Sequence, residues 1–170
     1  MYDRRITYLT TGLTYGGAEN QVVQLASRFR KRGWDVQVIS MLSPEAYVDE
    51  LSSADVPLTT LGMKRGVADP RAVLRLASTL RKWEPTILHS HMVHANLLGR
   101  VTRLLYRVPV LISTAHSIDE GGRLREVAYR MTDCLCDLTT NVSQAAVRRY
   151  VAIGAVPKSK VRFMPNGLDT

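Results

Sequence analysis

Apolar residues in this chain fall into short runs separated by stretches of helical period, and that alternation predicts an α/β fold. Ile6, Tyr8 and Leu9 suit a buried strand, after which Val22, Leu25, Ala26 and Phe29 recur at the i, i+3, i+4, i+7 spacing of an amphipathic helix. Gly33-Trp34 breaks the pattern, and Val36, Val38, Ile39 and Met41 supply a second strand. Ser43-Pro44-Glu45 is expected to open a helix, with serine as cap and proline at the first helical position. Val56 to Leu61 reads as a third strand, and Asp69-Pro70 starts a helix whose buried stripe is Val73, Leu74, Ala77 and Leu80. Glu84-Pro85 ends it. Ile87 and Leu88 begin a fourth strand that runs through His89-Ser90-His91 into a helix carrying Ala95, Leu98, Val101 and Leu105. A fifth strand is expected from Val108 to Thr114. Gly121-Gly122 then precedes a helix buried through Leu124, Val127, Ala128 and Met131, and Leu135 to Val142 forms a sixth strand. Ser143 caps a helix running toward Ile153, and Val161 to Met164 is the last strand.

Strands alternating with helices of this length imply a Rossmann-like, doubly wound parallel sheet of about seven strands, with helices on both faces and right-handed crossovers. Ligands of such sheets bind beyond the carboxyl ends of the strands where strand order reverses, between the first and fourth strands. The candidate chemistry falls there. Between the first strand and helix stands Thr10-Thr-Gly-Leu-Thr-Tyr-Gly-Gly-Ala-Glu19, where Gly16 and Gly17 let the backbone take φ > 0 and approach a ligand. The free N–H groups and dipole of the helix favour a phosphate at that corner. The spacing fits neither a Walker loop nor G-x-G-x-x-G, and a turn that simply needs flexible residues would use the same glycines.

His89, His91 and His94 surround the end of the fourth strand and His116 closes the fifth, so all four histidines of the chain fall on that rim. Positions i and i+2 put two imidazoles on one strand face, as a metal would need. No acidic or cysteine ligand accompanies them at a metal-site spacing, so no metal is expected, and hydrogen bonding to a sugar or phosphate is.

With 170 residues, 45% of them hydrophobic, the chain holds one well-buried core. Cys134 and Cys136 stand too close together to staple a fold, which favours a reducing cytoplasm. Met-Tyr-Asp-Arg-Arg leads straight into the first strand and no run of ~18 apolar residues occurs, so neither a signal peptide nor a spanning helix is expected. The net charge of +8 points to an anionic partner, whether nucleic acid, an acidic membrane surface or a phosphorylated substrate, or to no more than a solvated basic surface. Arg100, Arg103 and Arg107 on one helix and Arg71, Arg75 and Lys82 on the preceding one are expected to share a basic face. That face would dock the protein peripherally on an anionic membrane, at its cytoplasmic side, to reach a lipid-linked acceptor.

Taken in order, Gly16-Gly17-Ala18-Glu19, His89-Ser90-His91, His116, Ser143 and the closing Pro165-Asn166-Gly167-Leu168-Asp169 resemble the N-terminal domain of the retaining GT-B glycosyltransferases of family four, over essentially the whole chain. The resemblance implies one half of a GT-B fold and transfer of a sugar from a nucleotide-diphosphate sugar to a lipid-linked, saccharide or small-molecule acceptor, with no cofactor beyond that donor. It implies that Gly16 and Gly17 face the donor phosphates and that His116 contacts the donor sugar near the reacting centre. His91, His89, Ser143 and Glu19 become acceptor-side candidates. Residues 1–164 would form the acceptor-side domain, and 165–170, with Asn166 and Gly167, would open a linker to a donor-binding domain without which the chain is inactive.

Two other readings compete. A nicotinamide-dependent oxidoreductase would want an acidic residue at the end of the second strand, where Ser40-Met41-Leu42-Ser43 stands. A non-enzymatic anion- or nucleic-acid-binding module is suggested by charge alone, and no recognised motif or aromatic stacking platform supports nucleic acid as a partner.

Overall fold

A computed structural model describes residues 4–118 and 121–167. Seven strands alternate with six helices: β1 (Arg5–Thr10), α1 (Gly17–Lys31), β2 (Asp35–Leu42), α2 (Val48–Ser53), β3 (Leu58–Met63), α3 (Arg71–Trp83), β4 (Ile87–His91), α4 (Val93–Thr102), β5 (Val110–Ala115), α5 (Arg123–Thr132), β6 (Leu138–Asn141), α6 (Gln144–Ala152) and β7 (Val161–Phe163). All pairings are parallel, in the order β3-β2-β1-β4-β5-β6-β7. Strand order therefore reverses between β1 and β4, as expected. The register puts Thr10 opposite His91 and His91 opposite Thr114, which brings the glycine corner and the histidines onto adjacent strand ends.

Alternating side chains sort onto two faces. Leu9, Ile39, Leu88 and Leu111 pack with Leu76 and Leu80 of α3, whereas Ile6, Tyr8, Val36 and Val38 pack with Val22 and Ala26 of α1 and Leu51 of α2. The connections that step from β1 toward β3 lay α1 and α2 on one face, and right-handed connections stepping the other way lay α3 to α6 on the opposite one. Helix cover on the α1 side thus stops near β1. Ile87, Ile112 and Leu138, on that same face of β4 to β6, line a groove of about 360 Å³ bounded by α1 and residues 164–167.

Several local expectations are corrected. Ser43-Pro44-Glu45 opens no helix, because the amides of Glu45 and Ala46 donate to the Leu13 carbonyl (2.8 and 3.0 Å) and tie this segment to the glycine corner. α2 begins only at Val48, behind Tyr47 at φ 63°. β3 starts later than Val56, whose amide closes on the Leu51 carbonyl at 2.9 Å. The buried stripe of α3 is Ala72, Leu76, Ala77 and Leu80, while Leu74 is exposed. Asp69 accepts the Arg71 amide at 3.0 Å just ahead of this helix, whose N-cap is Pro70. α4 ends at Thr102, which leaves Leu105 outside it and exposed.

The largest departures are on α4 and α5. Arg100, expected on a basic surface, is fully buried and donates to Ser113 Oγ (3.3 Å), the Tyr129 carbonyl (3.1 Å), Thr132 Oγ1 (3.3 Å) and Thr139 Oγ1 (3.0 Å). Its guanidinium carbon lies 4.5 Å from the centre of the Tyr129 ring. Arg103 is spent on the Leu135 and Pro109 carbonyls and on Asp137 at 2.7 Å, and Arg75 on Asp69. Of the six residues expected to share a basic face, Arg100 is therefore interior and Arg103 and Arg75 are held in local pairs, while Arg71, Lys82 and Arg107 stay exposed. These buried donors also turn α5: Asn96 donates to the Tyr129 hydroxyl at 2.6 Å, so Tyr129 faces inward and Leu124, Val127 and Met131, expected to be buried, are 87%, 52% and 74% exposed.

Among the described residues, no helix is long and apolar enough to cross a membrane.

Candidate functional site

The glycine corner follows β1 directly. Gly16 is the extended N-cap of α1 (φ −145°, ψ 160°) without a side-chain cap, and the Asn20 amide makes the bond to its carbonyl at 2.9 Å. The first-turn amides of an α-helix have no acceptor within the helix and, with its dipole, favour negative charge at this end. Neither Gly16 nor Gly17 takes a positive φ, contrary to expectation. What the missing side chains provide is space. A Cβ on Gly16 would collide with the Glu19 carboxylate, whereas one on Gly17 would meet nothing within 4 Å and project into the open corner.

Glu19, an acceptor-side candidate, is turned back over Gly16 and accepts the Thr14 hydroxyl at 3.2 Å. Its charge sits in the first turn of α1, where the helix dipole favours it, and it belongs to the corner itself.

Three histidines share the groove beside this corner. His89 and His91 point to the same face with ring centres 4.2 Å apart, and the His116 ring lies 5.3 Å beyond His91. His91 Nδ1 and His116 Nε2 are 3.0 Å apart, and His89 Nε2 is 2.7 Å from Thr114 Oγ1, which is itself 2.6 Å from Thr140 Oγ1. Burial pushes His89 down to about 3 and His116 down to about 4, and holds His91 well below its ordinary value, with the neighbouring imidazoles adding to the effect at His89 and His91. All three are neutral near pH 7. One proton then lies between His91 Nδ1 and His116 Nε2, and His91 Nε2 is buried with no partner among the described residues.

The remaining candidates are placed otherwise. His94 lies apart, exposed in the first turn of α4 beside a second pocket, and does not join the other three. The Ser143 hydroxyl accepts the Ala146 amide as the cap of α6, and its own amide donates to Asn141 Oδ1 at 3.0 Å, which is a local structural use. Asn166 and Gly167 line the groove. Gly167 and Gln21 of α1 exchange two hydrogen bonds, of 2.8 and 3.2 Å. Leu168 and Asp169, part of the expected linker, lie outside the described residues. Cys136 is buried against Leu111 and Ser113, a packing position, and no group of three metal-ligating side chains occurs among the described residues.

Sequence reasoning missed the polar wall of the groove on α1, where Gln21, Gln24 and Arg28 succeed one another at helical spacing. Their period was legible, but only the apolar stripe beside them was read as meaningful.

A family model described as Glycosyltransferase Family 4 matches residues 15–170. The chain is 29% identical to the alpha-maltose-1-phosphate synthase of Mycolicibacterium smegmatis, over 92% of this chain and 42% of that protein. Among solved structures, HepE of Anabaena, crystallised with UDP, superposes with a TM-score of 0.77 at 19% identity, over 97% of this chain and 44% of that one. The lipopolysaccharide outer core galactosyltransferase WaaB, in its apo form, gives 0.77 at 13% identity, over 96% and 46%. A UDP-GlcNAc 2-epimerase from Neisseria meningitidis gives 0.68 at 12%, over 95% and 46%, so the fold itself is shared beyond transferases. The chain thus spans less than half the length of these relatives. On a match that covers nearly all of its residues, the chain belongs to glycosyltransferase family 4.

Proposed function

We propose that this chain is the acceptor-side half of a glycosyltransferase that moves a sugar from a nucleotide-diphosphate donor to an acceptor, acting together with a donor-binding half. One observation carries the reading: the glycine corner and the His91–His116 pair stand on adjacent strand ends at the reversal of a family 4 sheet. The open space at Gly17 and the N-terminal end of α1 suit the donor diphosphate. Burial holds His116 below its ordinary value, which favours a neutral imidazole near pH 7 offering a hydrogen bond to a donor-sugar hydroxyl. Neither a metal nor a further cofactor enters the proposal.

The test is release of nucleoside diphosphate by the full-length protein from a panel of nucleotide-diphosphate sugars, with and without acceptors. Acceptor-dependent release is expected, and His116→Ala should lower kcat more than it raises KM, since a contact to the reacting sugar strengthens in the transition state. No release from any donor overturns the reading. A fall in melting temperature with unchanged kcat would reduce His116 to a packing role.

The proposal includes an anionic membrane surface as partner, at a cytoplasmic face in keeping with two free cysteines. Its support is the face of α5, where exposed Leu124, Val127 and Met131 stand beside exposed Arg123 and Arg130 on a chain of net charge +8.

A further inference from the structure

Residues 164–167 form a strap that leaves β7 and reaches α1 along the side of the groove. At its near end the Met164 amide donates to the Asn141 carbonyl at 2.9 Å, which extends the β6–β7 ladder by one step. At its far end Gln21 Nε2 donates to the Gly167 carbonyl at 2.8 Å, and the Gly167 amide donates back to Gln21 Oε1 at 3.2 Å. β4, β5 and β6 lie between β7 and β1, so this contact ties the edge of the sheet to the helix that follows its central strand.

A primary amide carries a donor and an acceptor side by side. In Gln21 both go to the two backbone groups of a single residue, a pairing that copies the hydrogen-bonded pair of neighbouring antiparallel strands. The clasp reads backbone alone, and it fixes the strap without regard to the side chain at position 167. A Cβ on Gly167 would in fact meet the Arg28 guanidinium at an ordinary 3.9 Å. With both polar atoms of its side chain committed to Gly167, Gln21 has little left to offer a bound substrate. Its position on α1 is what gives it a role. Gln21 follows Gly17 by four residues, so the two share one face of the helix a single turn apart. The turn that opens toward the proposed donor diphosphate is thus also the turn that holds the strap.

We propose that Gln21 is a positioning residue for sugar transfer, clasping the chain that leaves β7 onto α1 and so setting where the donor-binding half stands relative to the glycine corner. The chain beyond Gly167 starts from a point fixed on the same helix as Gly17, and the half to which it leads inherits that placement. Rates in a site assembled from two halves are steep in such placement, a misfit of about 1 Å costing up to about a hundredfold. This role rests on the glycosyltransferase reading with its two halves, whereas the clasp itself does not.

The experiment compares the full-length protein with its Gln21→Ala, Gln21→Glu and Gly167→Ala variants. It measures melting temperature, the distance distribution from small-angle X-ray scattering with and without UDP, and kcat and KM with the donor selected from the panel of nucleotide-diphosphate sugars. Gln21→Glu keeps the shape of the side chain but sets a carboxylate oxygen against the Gly167 carbonyl, so it should behave as Gln21→Ala does. Both should lower kcat about five- to tenfold, the worth of two neutral hydrogen bonds, and broaden the distance distribution without UDP, with donor KM within about twofold and melting temperature unchanged. Gly167→Ala keeps both backbone groups and should match the unaltered protein in all three measurements. Unaltered kcat and scattering in Gln21→Ala overturn the proposal. A lower kcat with unaltered scattering would make Gln21 a substrate contact, and a lower melting temperature with kcat and scattering unaltered would make it a packing residue; each overturns the proposal as well. Where the unaltered protein releases nucleoside diphosphate from no donor, it is the transferase reading that fails, and the clasp stands or falls on the scattering alone.

Discussion

His91 and His116 share a single proton, and that arrangement makes the site sensitive to acid. Their unfolded-state values lie near 6.5, while burial keeps His116 at about 4 and His89 at about 3 in the folded chain. Between those limits the unfolded chain binds more protons than the folded one, so stability falls as pH drops from about 6.5 toward 4. Each imidazole contributes a slope of at most about 1.4 kcal/mol per pH unit. Urea midpoints should therefore be lower at pH 5 than at pH 7, and His116→Asn should shrink the difference. An unchanged midpoint over that interval would show that the folded and unfolded chains take up protons alike, and so that burial does not depress these imidazoles. At the corner, Gly17→Ala separates fold from function. Alanine is the better helix former, its Cβ meets no atom within 4 Å and no positive φ is required, so the melting temperature should hold or rise. Donor affinity should nonetheless fall severalfold, because the new methyl occupies the space proposed for the phosphates, and unaltered donor affinity would remove Gly17 from that role. The presence of histidines on this rim was legible from their positions at strand ends. Their pairing was not, because it depends on the register of β4 against β5, which sets His91 opposite Thr114 and so next to the residue that precedes His116 by two.

Among the elements, α5 shows where a hydrophobic pattern misleads. Leu124, Val127 and Met131 form a true helical stripe, and the helix was correctly placed from it, but the stripe faces solvent. The inward face was chosen by α4. Fully buried Asn96 and Arg100 need acceptors, and the Tyr129 hydroxyl and carbonyl and Thr132 supply them. An arginine at a core position cannot be told from a surface one by period alone, which is also why the expected basic face on α4 failed. The exposed stripe, with Arg123 and Arg130 beside it, is the segment proposed to meet a membrane. Each basic residue at an anionic surface is worth about 1 kcal/mol and each buried apolar side chain about 1.5–3 kcal/mol. Co-sedimentation with acidic vesicles at low salt is therefore expected, with little on neutral ones, and Leu124→Asp/Met131→Asp should abolish it without loss of melting temperature. Equal binding by this variant would move the contact elsewhere.

At the scale of the whole molecule, a parallel sheet whose order reverses between β1 and β4 was readable because strand-helix alternation and right-handed connections leave few alternatives. The uncovered half of one face was not, since it follows from how many connections run to each side of β1, a count that periodicity does not contain. That geometry bears on activity. The groove beside the histidines has α1 and residues 164–167 as two of its sides, and the chain spans less than half the length of its relatives. A site assembled between two halves gains much of its rate from holding donor and acceptor in one geometry, and well-oriented systems of this kind recover about 7–11 kcal/mol of a barrier. The 170-residue chain alone offers a core on both sides of β1–β3 and three buried clusters, so it should unfold in one cooperative transition in urea. It should show no sugar transfer with any donor tested, while the full-length protein turns over under the same conditions. Transfer by the isolated chain at a rate comparable to the full-length protein would mean that the complete reacting site lies within these residues, and that the groove, rather than a cleft between halves, is where donor and acceptor meet.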